Sequence, residues 1–209
     1  MTDDAALSGR IGPNAVTRLA EALTAAAGRD ATAALFAQAG LSHHLAAPPE
    51  RMVEEADVVA LHRALAETRP DAEAVAAEAG ARTARYLLAH RIPKPVQALL
   101  RVTPPGLAAR ILLAAIRKNA WTFAGTGAFA AQAGRDARVE VIGGPFAAPG
   151  AAAAPLAQFY ASVFESLFRR LVSARTQVRA EARDGACALA LTWRAETRPS
   201  PLPRPAQAR

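Results

Sequence analysis

A single cysteine, Cys187, stands in a chain of 209 residues. It leaves no partner for an internal disulfide and no thiolate set for a structural zinc. Aromatic side chains are almost as scarce, with seven Phe, two Trp and two Tyr. The core must therefore rest on Leu, Val and Ile, and each aromatic is worth locating. Long apolar runs are missing too. The best candidate, residues 98–116, is interrupted by Arg101, Pro104, Pro105 and Arg110, which excludes a transmembrane helix. The opening MTDDAALSGR carries acids where a secretory signal carries bases, and no apolar run follows it. A cytoplasmic protein is expected, with peripheral contact at a membrane left open. The four histidines (His43, His44, His62 and His90) show no H-x-x-x-H or H-E-x-x-H spacing, so no multi-histidine metal site is expected.

What is abundant is alanine, at 56 residues about half of the apolar fraction of 52%. Alanine fills helices more than it builds a cohesive core. The 25 basic residues exceed the 18 acidic ones to give +7, and all but Lys94 and Lys118 are arginine. Arginine presents a planar fork suited to carboxylate and phosphate, although the same bias follows from base composition alone. Part of the excess lies in the tail, where Arg194, Arg198, Arg204 and Arg209 oppose only Glu196. Such a charge permits nucleic acid, an anionic membrane surface or an acidic small ligand, and selects none of them.

Periodicity divides the chain into helices followed by strands. Pro13 opens a first helix with Val16, Leu19, Ala20 and Leu23 on one face, running to Gly28. Asp30 is placed to cap a second helix over 31–39, closed by Gly40. Residues 52–67 and 72–90 read as two more, and prolines 93, 95, 104 and 105 restart the pattern as a short helix to Arg101 and another over 107–119. Residues 120–124 and 138–142 then read as strands joined by glycine-rich connections. An amphipathic helix spans 155–172. A hairpin over 176–183 and 186–194 turns about Asp184-Gly185. The expected fold is α+β: N-terminal helices, then a small antiparallel sheet of about four strands crossed by one helix. Residues 1–90 form the helical region and 91–196 an α+β ligand-binding region, packed as one compact unit. Residues 197–209, rich in Pro and Arg, are expected to be a disordered tail.

Several groups invite a chemical role, each with a plainer alternative. Gly125-Thr126-Gly127 with Ala130 matches G-x-G-x-x-A, but the long helix and downstream acid that a dinucleotide site needs do not follow, so a tight turn is the better account. His90, beside Arg91 and Lys94 and near Tyr86, could serve as the axial ligand of a magnesium or iron tetrapyrrole. It could equally be a helix-end histidine favoured by the dipole. His43-His44 reads as a solvated loop and Cys187 as a buried small hydrophobe. Arg169, Arg170, Arg175, Arg179 and Arg183 make a basic cluster, read first as a solvated face and otherwise as partners for propionate carboxylates. No aromatic residues interleave to stack bases and no helix-turn-helix pattern fits, so no nucleic acid is expected.

Four segments carry a family resemblance: IGPNAVTRLAEAL at 11–23; RIPKPVQALLRVTPPGLAARILLAAIRKNAWTFAGTGAF at 91–129; PLAQFYASVFESLFRRLV at 155–172; and the closing hairpin. Together they resemble the bacteriochlorophyll 4-vinyl reductase family over nearly the whole chain except the tail. The resemblance implies a small-ligand-binding α+β domain, similar to vesicle-tethering subunits and distantly to haem-based gas sensors. Many members of the wider group carry a cysteine pair near the final hairpin. This chain has only Cys187, in ACALALTW, which puts cysteine-dependent chemistry in doubt.

The resemblance further implies work on a divinyl (proto)chlorophyllide in bacteriochlorophyll synthesis. The favoured expectation is a tetrapyrrole-binding carrier or accessory protein, taking a Mg-porphyrin or protochlorophyllide and meeting other enzymes of the pathway, with a homodimer allowed. The alternative is the vinyl reductase itself, which would draw on NAD(P)H. The remote alternative is a basic regulatory DNA-binding domain. No intrinsic cofactor or metal is expected. A pocket walled by Trp121, Phe123, Phe159, Tyr160 and Phe164, with His90, Arg91 and Lys94 at a polar edge, would suit a flat apolar macrocycle bearing carboxylates. The same aromatics would serve as ordinary core between sheet and helix.

Overall fold

The computed structural model describes residues 9–183 and 185–193. Two short strands, β1 (Arg10–Ile11) and β2 (Val53–Glu54), pair antiparallel and fix where the first helices begin. Arg10 lies opposite Glu54, and its Nε reaches Glu54 Oε1 at 2.7 Å. The helix α1 (Asn14–Gln38) follows Pro13 and buries Val16, Leu19 and Leu23, the face expected from spacing. It is interrupted at Gly28, whose φ of 86° and ψ of 174° lie outside helical space and suit glycine alone. Helix resumes immediately, so Asp30 falls inside a helix instead of capping one. A short helix, α2 (His43–Ala46), comes next.

The helices α4 (Ala72–His90), α5 (Lys94–Val102) and α6 (Pro105–Lys118) occupy the expected positions, whereas α3 (Glu55–Thr68) starts later than residue 52 because Val53 and Glu54 pair with β1. Prolines begin α5 and α6, where a missing N–H breaks no helical bond. The expected strand over 120–124 is instead one helical turn, α7 (Trp121–Ala124). Phe123 N and Ala124 N both donate to Ala120 O, so these residues satisfy their backbone locally and cannot join a ladder. The strand lies further on, as β3 (Ala128–Ala133), where AFAAQA offers little of the β-branched signal that marks strands.

The four-stranded antiparallel sheet has the order β3–β4–β6–β5, with β4 (Ala137–Ile142), β5 (Gln177–Arg183) and β6 (Ala186–Thr192). Gly185 has φ 73°, as the hairpin turn requires, while Asp184 lies outside the described residues. Register aligns three rows on one face: Phe129–Val141–Cys187–Ala182, Ala131–Val139–Leu189–Ala180 and Ala133–Ala137–Leu191–Val178. The central strands β4 and β6 bring Val139, Val141, Cys187, Leu189 and Leu191 to this face, with alanines at four of the six edge positions. The helix α8 (Ala153–Leu171) packs against the sheet, burying Leu156, Phe159, Tyr160, Phe164, Phe168 and Leu171. On its other side α8 meets α4, the most extensive helix–helix contact in the molecule. The fold is thus α+β as expected. The tail over 197–209 lies outside the described residues.

Candidate functional site

Of the five aromatic residues expected to wall a pocket, Phe159, Tyr160 and Phe164 are buried on α8. Phe123 packs against them edge-on, 6.2 Å from Tyr160 and 6.5 Å from Phe164 between ring centroids. Phe129 stacks on Phe164 at 6.3 Å, and Phe146 meets Tyr160 at 5.3 Å. These rings join one another in one connected cluster on α8, with Phe159 also meeting His62 on α3. Tyr160 Oη donates to Phe123 O at 2.5 Å, which ties α8 to α7, and burial pushes the phenol well above its usual range. Trp121 does not join this cluster; half of its surface is open to solvent.

The polar edge is better formed. His90 ends α4, its ring 4.8 Å from that of Tyr86, one helical turn earlier. Both line an open cleft of about 450 Å³ between α1 and α4, together with Arg18, Glu21, Arg82, Arg85 and Ala89. Arg18 lies over the Tyr86 ring at 5.0 Å and also pairs with Glu21. Arg82 and Arg85 share Glu78 at 2.9 and 2.8 Å. The cleft thus presents three guanidinium groups, each paired to Glu21 or Glu78, together with the Glu21 carboxylate, an imidazole and an aromatic face. Spacing within α4 places Arg82, Tyr86 and His90 on one stripe, but Arg18 comes from a separate helix that nothing in the local sequence connects to it. Arg91 and Lys94 are exposed just beyond, at the α4–α5 junction.

A second open cleft, of about 430 Å³, is lined by His44, Glu50, Met52, Glu54 and Asp57 among others. His43 and His44 belong to α2 rather than to a solvated loop, with ring centroids 4.1 Å apart. His44 Nε2 is 3.1 Å from Asp57 Oδ2. Ligating atoms of His43, His44 and Asp57 all lie within 4.8 Å of one another, a donor set that could accept a metal ion. Asp57 sits thirteen residues from His44, so motif spacing offers no hint of it.

His62, not singled out by any motif, is fully buried on α3 with neither ring nitrogen hydrogen-bonded. Its ring meets Phe159 edge-on at 5.7 Å, and burial lowers its pKa to about 3. Cys187 is buried in the sheet's inner face, as expected, and burial pushes its thiol up to about 12. Gly125-Thr126-Gly127 forms a turn leading into β3, not into a helix; Gly125 has φ 58°. Within the basic cluster, Arg169 pairs with Glu165 and donates to Thr176 O, and Arg183 pairs with Glu181.

No family model matches the chain. Over 180 residues, 86% of each chain, it is 41% identical to the bacteriochlorophyll synthase 23 kDa chain of Cereibacter sphaeroides. It is 37% identical over 164 residues to the protein of the same name from Rhodobacter capsulatus, a match spanning 78% of this chain and 76% of that one.

Proposed function

The chain belongs to the family of the bacteriochlorophyll synthase 23 kDa chain, and on that premise we propose that it binds a tetrapyrrole intermediate of bacteriochlorophyll synthesis. It holds a Mg-porphyrin or divinyl protochlorophyllide as a carrier or accessory factor for vinyl reduction and neighbouring steps. The supporting observation is the α1–α4 cleft, where His90, Tyr86 and three arginines surround one open space. A chelated metal already has four macrocycle nitrogens, so a single imidazole completes its axial coordination. His90 is exposed and supplies that nitrogen. Arg85, largely exposed, is the guanidinium freest to turn toward a propionate, and Arg18 and Arg82 support the charge. Tyr86 offers a ring face to the apolar macrocycle. Arg91 and Lys94 extend the cationic rim.

Titration of the purified protein with Mg-protoporphyrin tests this reading. A shift of the Soret band with micromolar or tighter binding is expected, and an unchanged spectrum would overturn it. A parallel incubation with divinyl protochlorophyllide and NAD(P)H separates binding from catalysis. Turnover by the protein alone would replace the carrier reading with the vinyl reductase that the sequence resembles.

A further inference from the structure

Seven large apolar side chains are exposed among the described residues, and six of them lie in one stretch: Val96, Leu99, Val102, Leu107, Ile111 and Trp121. They belong to three successive helices. On α5 the spacing of three puts Val96, Leu99 and Val102 on an outward stripe, while Gln97 and Leu100 face the core. Gln97 is held there by its amide, which donates to Leu88 O and Ile92 O, so the stripe cannot roll inward. On α6, Ala108, Ala109, Leu112 and Leu113 are buried, leaving Leu107 and Ile111 outward. Val102 is 81% exposed and Leu99 59%, a solvation cost that a free surface gains nothing by keeping.

Charge completes the pattern. No acidic residue occurs between Glu78 and Asp136. Arg91 just before these helices, and Lys94, Arg101, Arg110, Arg117 and Lys118 on them, are all exposed. None of the six forms an ion pair among the described residues. Arg101 and Arg117 reach only neutral oxygens, Gln97 Oε1 and Ala131 O. Exposed apolar side chains, a tryptophan among them, flanked by cations in a segment that holds no acid of its own match the boundary of a bilayer carrying anionic headgroups. No helix is long and apolar enough to cross a membrane, so contact would be made in the interfacial plane. A second copy is the wrong occupant, because isologous pairing would set two such cationic rims face to face.

We infer that the outward face of α5, α6 and α7 docks the protein on the surface of an anionic phospholipid bilayer. Val96, Leu99, Val102, Leu107, Ile111 and Trp121 enter the headgroup boundary, and the flanking Arg and Lys residues meet lipid phosphates. This does not depend on the tetrapyrrole reading: none of these apolar residues lines the α1–α4 cleft, nor do Arg101, Arg110, Arg117 and Lys118, and only Arg91 and Lys94 are shared with its rim.

Cosedimentation of the full chain with vesicles tests it. Binding is expected to phosphatidylcholine vesicles containing about a third phosphatidylglycerol, to be weak on phosphatidylcholine alone, and to fall steeply as salt is raised. Leu99→Ser with Val102→Ser should weaken binding by roughly tenfold or more, since both side chains already face solvent and their loss leaves the fold intact. Ile142→Ser, exposed on β4 elsewhere, should leave binding unchanged, and circular dichroism of each variant confirms folding. Equal binding to neutral and anionic vesicles, no binding to either, or full binding by the folded double variant would each overturn the proposal. So would ultracentrifugation showing a dimer that the double variant converts to monomer without altering vesicle binding. That outcome would assign the face to self-association.

Discussion

Gly80 on α4 lies so close to the carbonyl of Phe159 on α8 that a methyl group at position 80 would collide with it and with Ser162 Cβ. The obstacle is backbone, which cannot swing aside as a side-chain tip would. Helix propensity alone makes Gly80→Ala stabilising by about 1 kcal/mol, whereas overpacking a tight helix contact costs about 1–3 kcal/mol. The second effect should win because α4 and α8 form the main helical contact. Urea denaturation is expected to show a net loss of roughly 1–2 kcal/mol. A variant as stable as the parent would contradict so close an approach.

Glu55, at the start of α3, accepts from Thr126 N at 2.9 Å and from Thr126 Oγ1 at 2.8 Å. One carboxylate thus clamps the turn before β3 to the N-terminus of a helix 71 residues away. A Cβ at Gly125 would run into that carboxylate, which gives the glycine a reason beyond its positive φ. Glu55→Ala should cost about 1–2 kcal/mol, less than a buried pair would, since solvent partly replaces both bonds. Gly125→Ala should cost at least as much. If Glu55→Ala leaves the urea midpoint untouched, the clamp contributes nothing.

Legibility in the sequence followed how local each signal was. The helices α4, α5 and α6 were readable because prolines and a regular apolar face marked them, and β6 because Cys187, Leu189 and Leu191 alternate. Residues 120–124 misled, since aromatic residues in a short apolar run suit a strand and a helical turn equally, and periodicity cannot choose over so few positions. β3 hid behind alanines, which lie opposite Val139 and Ala137 but signal nothing on their own. In the candidate cleft, Tyr86 and His90 were visible as neighbours on one helix. Arg18 was not, because the α1–α4 contact is tertiary. The buried, unpartnered state of His62 was equally invisible, for burial depends on what α8 lays over it.

If the α1–α4 cleft holds a tetrapyrrole, His90 and Arg85 should fail in different ways. His90→Ala removes the axial nitrogen, so bound Mg-protoporphyrin should lose the part of its Soret shift that reports coordination. Arg85→Ala should weaken binding about tenfold while leaving the bound spectrum intact, as expected for loss of one charge-assisted carboxylate contact. Parallel titrations distinguish the two. Equal affinity and identical spectra in both variants would move the ligand elsewhere.

Cys187 should be inert toward thiol reagents while the sheet is closed. It is fully buried between Val141 and Ala182 across the ladder, and its thiol is pushed up to about 12, so at neutral pH almost none is thiolate. A chromogenic disulfide reagent should therefore react slowly with native protein and at the free-thiol rate in denaturant. The native rate should track local opening of β6, making it a gauge of sheet stability in the other variants. Rapid labelling of folded protein would show that the inner face is accessible.

His62 ties stability to pH through burial alone. Its pKa falls from 6.5 to about 3 in the folded state, so the unfolded chain takes up a proton first as pH drops. The contribution is complete above pH 6.5 and is lost progressively as pH falls toward 3. The slope approaches about 1.4 kcal/mol per pH unit well inside that window. Carboxylates do not yet titrate strongly between pH 6.5 and 5, so that upper part isolates the histidine. His62→Leu removes two unpaired buried nitrogens and keeps the volume, and should flatten the profile there while holding stability at pH 7 equal or higher. Urea titrations at several pH values across the window decide it. Parallel profiles for parent and variant would mean that His62 gains a proton, or a partner, inside the fold.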